Sequence, residues 1–434
     1  MSEFTYDLII VGGGIPGLTL ACGLRESGLR VAVIEAQPED RVDDRPRAYA
    51  LSPLSAKVFR SVGVWEQIAP GICHFPQVLL SDADYAHKIA FVPEDIGEPA
   101  VYYCAEHNVL QAALRHRASL DAHITCYYGA RVQDITYGKF AAEAIVETQR
   151  GQLRLSAPLV VAADGARSRI RQQAGIETDG WNYWQSCITA FVSPEASHQN
   201  IAHERFWPDG PFAVLPLPDN RCQIVWVAPH EEAKALVALP REEFMAEMQK
   251  RYGDGYGSLT LLGEPLVFPA SLMHSRKYYQ SRLALLADAA HHCHPVGGQG
   301  LNLGLRDAAA LAKVLSTAAQ KQQDLGDVRV LRRYGRRRRL ENWVMLMFTD
   351  ILNRTFSNRW LPMLVARRLV LRVGIAVSPI RRLMLHLMTG FWGTHPYPLE
   401  RLEPTLAANA NEAQRDRPEP GTLVGSSESG RGSR

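Results

Sequence analysis

The apolar run at residues 6–11 is followed by six residues, Gly12-Gly13-Gly14-Ile15-Pro16-Gly17, the last three of which open a stretch of helical spacing at residues 15–27. Few sequence features restrict a fold as tightly. Gly12 permits a tight turn at a strand end, Gly14 lets a pyrophosphate approach the backbone, and Gly17 lets the helix pack on the strand. Ile15 and Pro16 open that helix, so its first N–H groups face the diphosphate. Residues 30–36 read as a second strand ending in Glu35 and Ala36. Glu35 lies 18 positions after Gly17, close to the spacing at which an acid takes ribose hydroxyls. The unit is a strand–helix–strand of a parallel sheet that holds a dinucleotide. Whether that dinucleotide is NAD or FAD stays open here.

Two later segments repeat the strand-to-helix passage. Residues 157–175 give a strand, a tight turn at Asp164-Gly165, and a helix that Ser168 can cap. On its own this stretch is equally well a capped turn with no ligand. In residues 283–315 Asp288 ends a strand, Gly297, Gly298 and Gly300 allow an unusual backbone path, and Leu301 begins an alanine-rich helix. Residues 181–272 alternate apolar and polar side chains between prolines and glycines, the pattern of an antiparallel sheet. The expected divisions are 1–74, 101–180 and 273–328 for the dinucleotide domain and 75–100 and 181–272 for an inserted domain. A basic helical region, 329–400, and a disordered tail, 401–434, follow.

Bulk properties narrow the class. A net charge of +3 over 434 residues is too small to imply a nucleic-acid partner. The seven cysteines are scattered without a Cys-x-x-Cys pair, which points to a reducing compartment, the cytoplasm. The N-terminal apolar run ends in glycines and reads as a buried strand rather than a signal peptide. No apolar stretch is long enough to span a bilayer. His291, His292, Cys293 and His294 tempt a metal reading, but four adjacent side chains cannot easily converge on one ion, and no metal is expected.

In this order and at these separations the three motifs resemble the aromatic-hydroxylase class of FAD monooxygenases. "HPVGGQGLNLGLRDAAAL" and "RPRAYALSPLSAKVF" resemble the ubiquinone-biosynthesis hydroxylase family, over residues 6–398. The resemblance implies an α/β fold: a Rossmann-like FAD-binding domain, an inserted antiparallel-sheet substrate domain and a C-terminal helical region. It implies FAD, NADH or NADPH as co-substrate, and O2. The reaction implied is hydroxylation of the aromatic ring of a polyprenylated phenol or quinol through a flavin C4a-hydroperoxide. Asp288 matches the aspartate at the ribityl chain, Arg47 an arginine near the pyrophosphate, and Asp164 an Asp-Gly motif tied to FAD and NAD(P)H. Asn108 falls at a further FAD contact. Pro295 and Gly298 are expected nearest the reactive edge, with Gly300, Leu301 and Asn302 wrapping the ring.

Two departures stand out: Ala287 precedes Asp288 where the family usually has glycine, and His107-Asn108 replaces a common Asn-Arg pair. No side chain identifies itself as an essential acid or base. The alternatives are an epoxidase or prenyl reductase on the same scaffold, or a non-catalytic FAD-binding member of a quinone-synthesis complex. A homo-oligomer also stays open. The basic run at residues 332–343 reads first as a solvated helix face. Beyond it Arg359, Arg367, Arg368, Arg372, Arg381 and Arg382 flank short apolar runs in the manner of interfacial helices. That suggests a peripheral surface on the inner face of a membrane.

Overall fold

The computed structural model of the chain describes residues 4–390, apart from 44, 84 and 86. The expected ends of the helical region at 400, of the resemblance at 398, and the tail at 401–434 lie outside the described residues. At the centre is a six-stranded sheet ordered Tyr279–Gln280, Leu283–Leu285, Val160–Ala162, Leu8–Val11, Val31–Glu35 and Ile124–Tyr128. All its pairings are parallel except the first. Leu8–Val11, Val160–Ala162 and Leu283–Leu285 are buried along their whole length, as strands covered on both faces must be. Thus the three segments that each end in a motif lie side by side, and their turns emerge at one edge.

An eight-stranded sheet forms the second layer, ordered His291–His292, Leu259–Ser275, Thr178–Pro194, Arg221–Pro229, Gly210–Leu217, Ile201–Trp207, Gln77–Asp82 and Lys88–Phe91. One face packs under helices His230–Ala238 and Arg241–Tyr252 through Trp226, Phe244 and Met248. The opposite face contributes Leu80, Ala202, Phe206 and Leu217 to a cluster shared with Tyr102, Val296 and Met388. This is the α/β architecture with an added sheet that the resemblance implies, antiparallel except where Ile201–Trp207 pairs parallel with Gln77–Asp82, and C-terminal helices complete it.

Those helices are Val328–Phe356, Leu361–Ala376 and Ser378–Thr389. Among the described residues no helix is long and apolar enough to cross a membrane. The arginines expected at a membrane surface mostly turn to the protein instead. Arg367 is buried against Asp82 at 2.9 Å, and Arg368 reaches the same carboxylate at 3.3 Å. Arg381 pairs with Asp95 at 2.8 Å, Arg359 with Asp209 at 3.1 Å, and Arg372 donates to the Tyr85 hydroxyl. Their acidic partners sit far away in sequence, so local spacing could not reveal them. What faces outward is apolar: Trp360, Leu361, Val365, Leu369 and Val370, with Leu361 68% and Leu369 59% exposed.

Candidate functional site

The site begins where Leu8–Val11 ends. Gly12 has φ +116°, and a Cβ there would lie 2.2 Å from the carbonyl oxygen of Ala163 on the neighbouring strand's exit. A Cβ on Gly17 would lie 2.0 Å from the Gly12 oxygen, so these two glycines are required by packing. Gly14 differs: nothing lies within 4 Å of a Cβ placed there, so open space fronts the N-terminus of helix Ile15–Gly23. Ile15 is buried and Pro16 half-buried in the first turn. At the end of Val31–Glu35, the Glu35 carboxylate accepts from Gly13 N at 2.8 Å and Gln37 N at 2.8 Å. Ala36, next to it, is exposed.

Arg47 projects from the approach to strand Ala48–Leu51, its guanidinium 5.5 Å from the Tyr49 ring centroid and 5.4 Å from that of Phe268. Phe268 belongs to the eight-stranded sheet and Tyr49 to a separate three-stranded one, so Arg47 lies between these two sheets. Asn108 is exposed in the first turn of helix His107–Ser119. The adjoining His107 is buried, its N–H donating to the Arg47 carbonyl at 2.7 Å, which brings Asn108 beside the Arg47 arm. Burial lowers the His107 pKa.

Asp164 follows strand Val160–Ala162. One carboxylate oxygen accepts weakly from Ile170 N at 3.4 Å, while the other is buried without a partner. Ser168 caps helix Arg169–Gln173 by accepting from Arg171 N at 3.0 Å. Arg171, which the sequence did not mark, donates to Ala289 O at 2.9 Å and Ala166 O at 3.1 Å. It thereby ties the second motif to the third. Asp288 is exposed at that third turn. Ala287, where the family has glycine, sits in the left-handed region at φ +53°. Gly304 opposite makes room for the Ala287 methyl: a Cβ on Gly304 would fall 2.7 Å from Cβ of Ala287.

After Pro295, Gly297 and Gly298 both adopt left-handed conformations, at φ +69° and +60°. The helix runs Gln299–Gln320 with Gly298 as its cap, so it opens two residues before Leu301. Gly298 allows that early start, because a left-handed residue can turn the chain directly into the helix. Gly300 and Leu301 are half-buried in the first turn. Asn302 is fully buried and satisfied: Oδ1 accepts from Ser52 N at 2.8 Å and Ser55 Oγ at 2.6 Å, and Nδ2 donates to Ala50 O and Gly298 O, both at 2.8 Å. It clamps the glycine turn to strand Ala48–Leu51. Ser52 and Ser55 were missed in the sequence because serines opening a helix look like ordinary caps.

The histidine run diverges rather than converges. His291 Nε2 meets Asp307 Oδ2 at 2.6 Å, His292 Nε2 meets Ser271 Oγ at 2.9 Å, and His294 Nδ1 accepts from Val296 N at 3.2 Å. Burial drives the His294 pKa down to about 3, so that ring is neutral. Among the described residues no group of three or more His, Cys, Asp or Glu could hold a metal ion.

Behind the glycine turn opens an apolar cavity. Pro295 to Gly298 form one wall; Ala50, Phe75, Tyr102, Leu215 and Met388 form others. Glu204 is the one acidic side chain on its lining. The site as a whole fits FAD: open space at Gly14, a buried orphan oxygen on Asp164, an exposed carboxylate at Asp288, and a left-handed turn beside an apolar cavity.

Comparison with known proteins agrees with this fit. A family described as an FAD binding domain matches residues 5–349. An uncharacterised protein of Synechocystis sp. is 45% identical over 396 residues, covering 91% of this chain and 96% of its own. Ubiquinone hydroxylase UbiL of Rhodospirillum rubrum is 34% identical over 397 residues, covering 90% and 91%. The 3-demethoxyubiquinol 3-hydroxylase of Escherichia coli is 34% identical over 395 residues, covering 90% and 100%. Among solved structures, p-nitrophenol 4-monooxygenase PnpA of Pseudomonas putida superposes with a TM-score of 0.76 at 21% identity, covering 88% of this chain and 98% of its own. That likeness concerns the fold.

Proposed function

This chain belongs to the FAD-binding-domain family of flavin-dependent monooxygenases, and on that premise we propose that it hydroxylates the aromatic ring of a polyprenylated phenol or quinol in ubiquinone-type quinone biosynthesis. The observation that carries this reading is the shared wall: the Pro295–Gly298 turn that would face the flavin also closes an apolar cavity. Bound FAD, reduced by NADH or NADPH, supplies the activation of O2.

The chain's own part is to bind, orient and exclude water. The first N–H groups of helix Ile15–Gly23, past Gly12, Gly14 and Gly17, hold the diphosphate, with Arg47 and Asn108 alongside. Glu35 and Ala36 meet the adenosine ribose. Asp288 holds the ribityl hydroxyls, and Asp164 offers its unpartnered oxygen to the same cofactor. Pro295, Gly298, Gly300, Leu301 and Asn302 shape the seat of the ring, whose positive helix end favours negative charge on reduced flavin. The cavity's apolar lining keeps water from the reacting centre. We assign residues 1–74, 101–180 and 273–328 to the cofactor half and 75–100 and 181–272 to the substrate half, with residues 178–180, 273–275 and 291–292 crossing over to pair in the substrate sheet.

Turnover under 18O2 tests the reading. One labelled oxygen in a ring-hydroxylated product supports it, and a reduced, unlabelled product would replace it with a reductase. Asp288→Ala should yield folded but colourless protein; stoichiometric flavin absorbance in that variant would remove the role given to Asp288.

A greasy substrate resides in lipid, and the outward apolar stripe Leu361, Val365 and Leu369 repeats every four residues on one helix face. We propose that this stripe rests in the headgroup boundary of a membrane, with exposed Arg382 near anionic lipid. The double substitution Val365→Glu/Leu369→Glu should weaken sedimentation with anionic phospholipid vesicles about tenfold or more. Undiminished binding would dismiss the membrane contact.

A further inference from the structure

Glu204 sits on strand Ile201–Trp207 between Ala202 and Phe206, both part of the apolar cluster that includes Val296 and Met388. Side chains two apart on a strand share a face, so the Glu204 carboxyl projects into that cluster and onto the cavity lining. Its neighbour His203 turns to the other face and bonds the Tyr256 hydroxyl at 2.7 Å. In register beside Glu204 lie Ala213 and Leu80, neither able to answer a carboxyl.

The elements packed around it bring little charge. Strand Tyr102–Glu106 contributes Tyr102, whose hydroxyl donates to Met388 O at 2.7 Å, and strand Thr178–Pro194 contributes Cys187. The glycine turn, Ala50, Val78, Leu215, Val225, Val227 and Met388 bring no ionisable group. Burial pushes the Glu204 carboxyl up to about 8. A carboxyl kept in such surroundings carries a desolvation cost, and no donor or cation of the described chain relieves it.

We propose that Glu204 binds the ring hydroxyl of the aromatic substrate and takes up its proton while oxygen is added to the ring. This rests on the hydroxylase reading above and deepens it. The hydroxyl O–H bond breaks, its proton joins the Glu204 carboxylate, and the electron pair stays on the substrate oxygen, enriching the ring that the oxygen must attack. When aromaticity is restored the ring carbon loses its hydrogen as a proton, which leaves with the second oxygen atom of O2 in water, and Glu204 returns its own to the substrate oxygen. The carboxylate is regenerated without net change, and O2 and NAD(P)H remain the oxidant and reductant. Because the ionised carboxylate accepts the proton, turnover should rise with pH through about 8.

The test uses FAD-loaded wild type, Glu204→Gln and Glu204→Asp with 2-prenylphenol as probe. Glu204→Gln should keep its FAD, lose about 100-fold in kcat and lose the rise with pH, while Glu204→Asp should regain part of both. An unchanged kcat and pH profile in Glu204→Gln would overturn the inference. Infrared difference spectra separate the two claims. Wild type should show a protonated-carboxyl band, absent from Glu204→Gln, that shifts when 2-prenylphenol binds. A shifting band with no hydroxylation would sink the proposed reaction and leave Glu204 as the phenol-binding group; hydroxylation with an unmoved band would sink Glu204 alone.

Discussion

Asp307→Asn should lower folding stability by about 3 kcal/mol, because it removes the buried one of the two carboxylates, Asp307 and Glu341, that pair with the buried Arg338 guanidinium. Asp307 lies on helix Gln299–Gln320 with no exposed surface; Oδ2 meets His291 Nε2 at 2.6 Å, and Oδ1 accepts from Arg338 Nε at 2.7 Å and Asn342 Nδ2 at 3.0 Å. Arg338 is buried as well, on helix Val328–Phe356, and the Tyr278 ring stacks on His291 at 5.8 Å. Burial alone would raise the Asp307 pKa, but electrostatic attraction to His291 and Arg338 and hydrogen bonds from His291 and Asn342 hold it well below the usual carboxylate range. With a depressed folded pKa, this contribution is present above the unfolded value of about 3.9 and fades as pH falls below it.

Urea unfolding near neutral pH would measure the loss. A change below about 1 kcal/mol would mean that water or rearrangement replaces the ion pair. The double variant Asp307→Leu/Arg338→Met should recover much of the stability, since apolar replacement of a whole buried pair is often neutral. His291 also leads into the Pro295–Gly298 turn, so flavin release on heating should come earlier in the single variant.

Gly12→Ala and Gly14→Ala should fail in different ways. Gly12 combines φ +116° with an alanine Cβ site 2.2 Å from Ala163 O, so the substitution must part the two central strands. A cost above about 4 kcal/mol is expected, enough to deplete folded protein. Gly14 has neither a left-handed backbone nor any atom within 4 Å of its Cβ site. Gly14→Ala should therefore keep the apoprotein's melting temperature and circular dichroism while its FAD occupancy collapses. The contrast assigns Gly12 to the fold and Gly14 to the cofactor. Equal FAD content in Gly14→Ala and wild type would reverse that assignment, and a wild-type melting point in Gly12→Ala would refute the steric argument.

The arginine-rich C-terminal stretch shows where sequence reading stops. Six arginines beside short apolar runs looked interfacial, yet Arg367 and Arg368 clasp Asp82 and Arg381 clasps Asp95, each some 285 residues away along the chain. Within the run at residues 332–343, Arg332, Arg333 and Arg336 are exposed as a solvated face requires, but Arg338 is not. Spacing along a helix tells which residues share a side; it does not tell what that side meets. Glu204 is the opposite case. In "IAHERFW" it reads as one polar position of an alternating strand, and only the apolar cluster across from it makes that position chemically unusual.

From the sequence alone come the dinucleotide turn, the order of its strands and helix, the FAD-hydroxylase family and the unusual backbone path at Gly297 and Gly298. Each rests on backbone conformation or on a motif read within a few residues, and short-range sterics is written locally. The tertiary structure decided what those residues face: the clamp of Asn302 on Ser52 and Ser55, the staple of Arg171, the buried Asp307 ion pair, and the solitary carboxyl in the cavity. Burial and charge pairing depend on partners brought from distant parts of the chain, and a side chain's ionisation follows its surroundings rather than its neighbours in sequence.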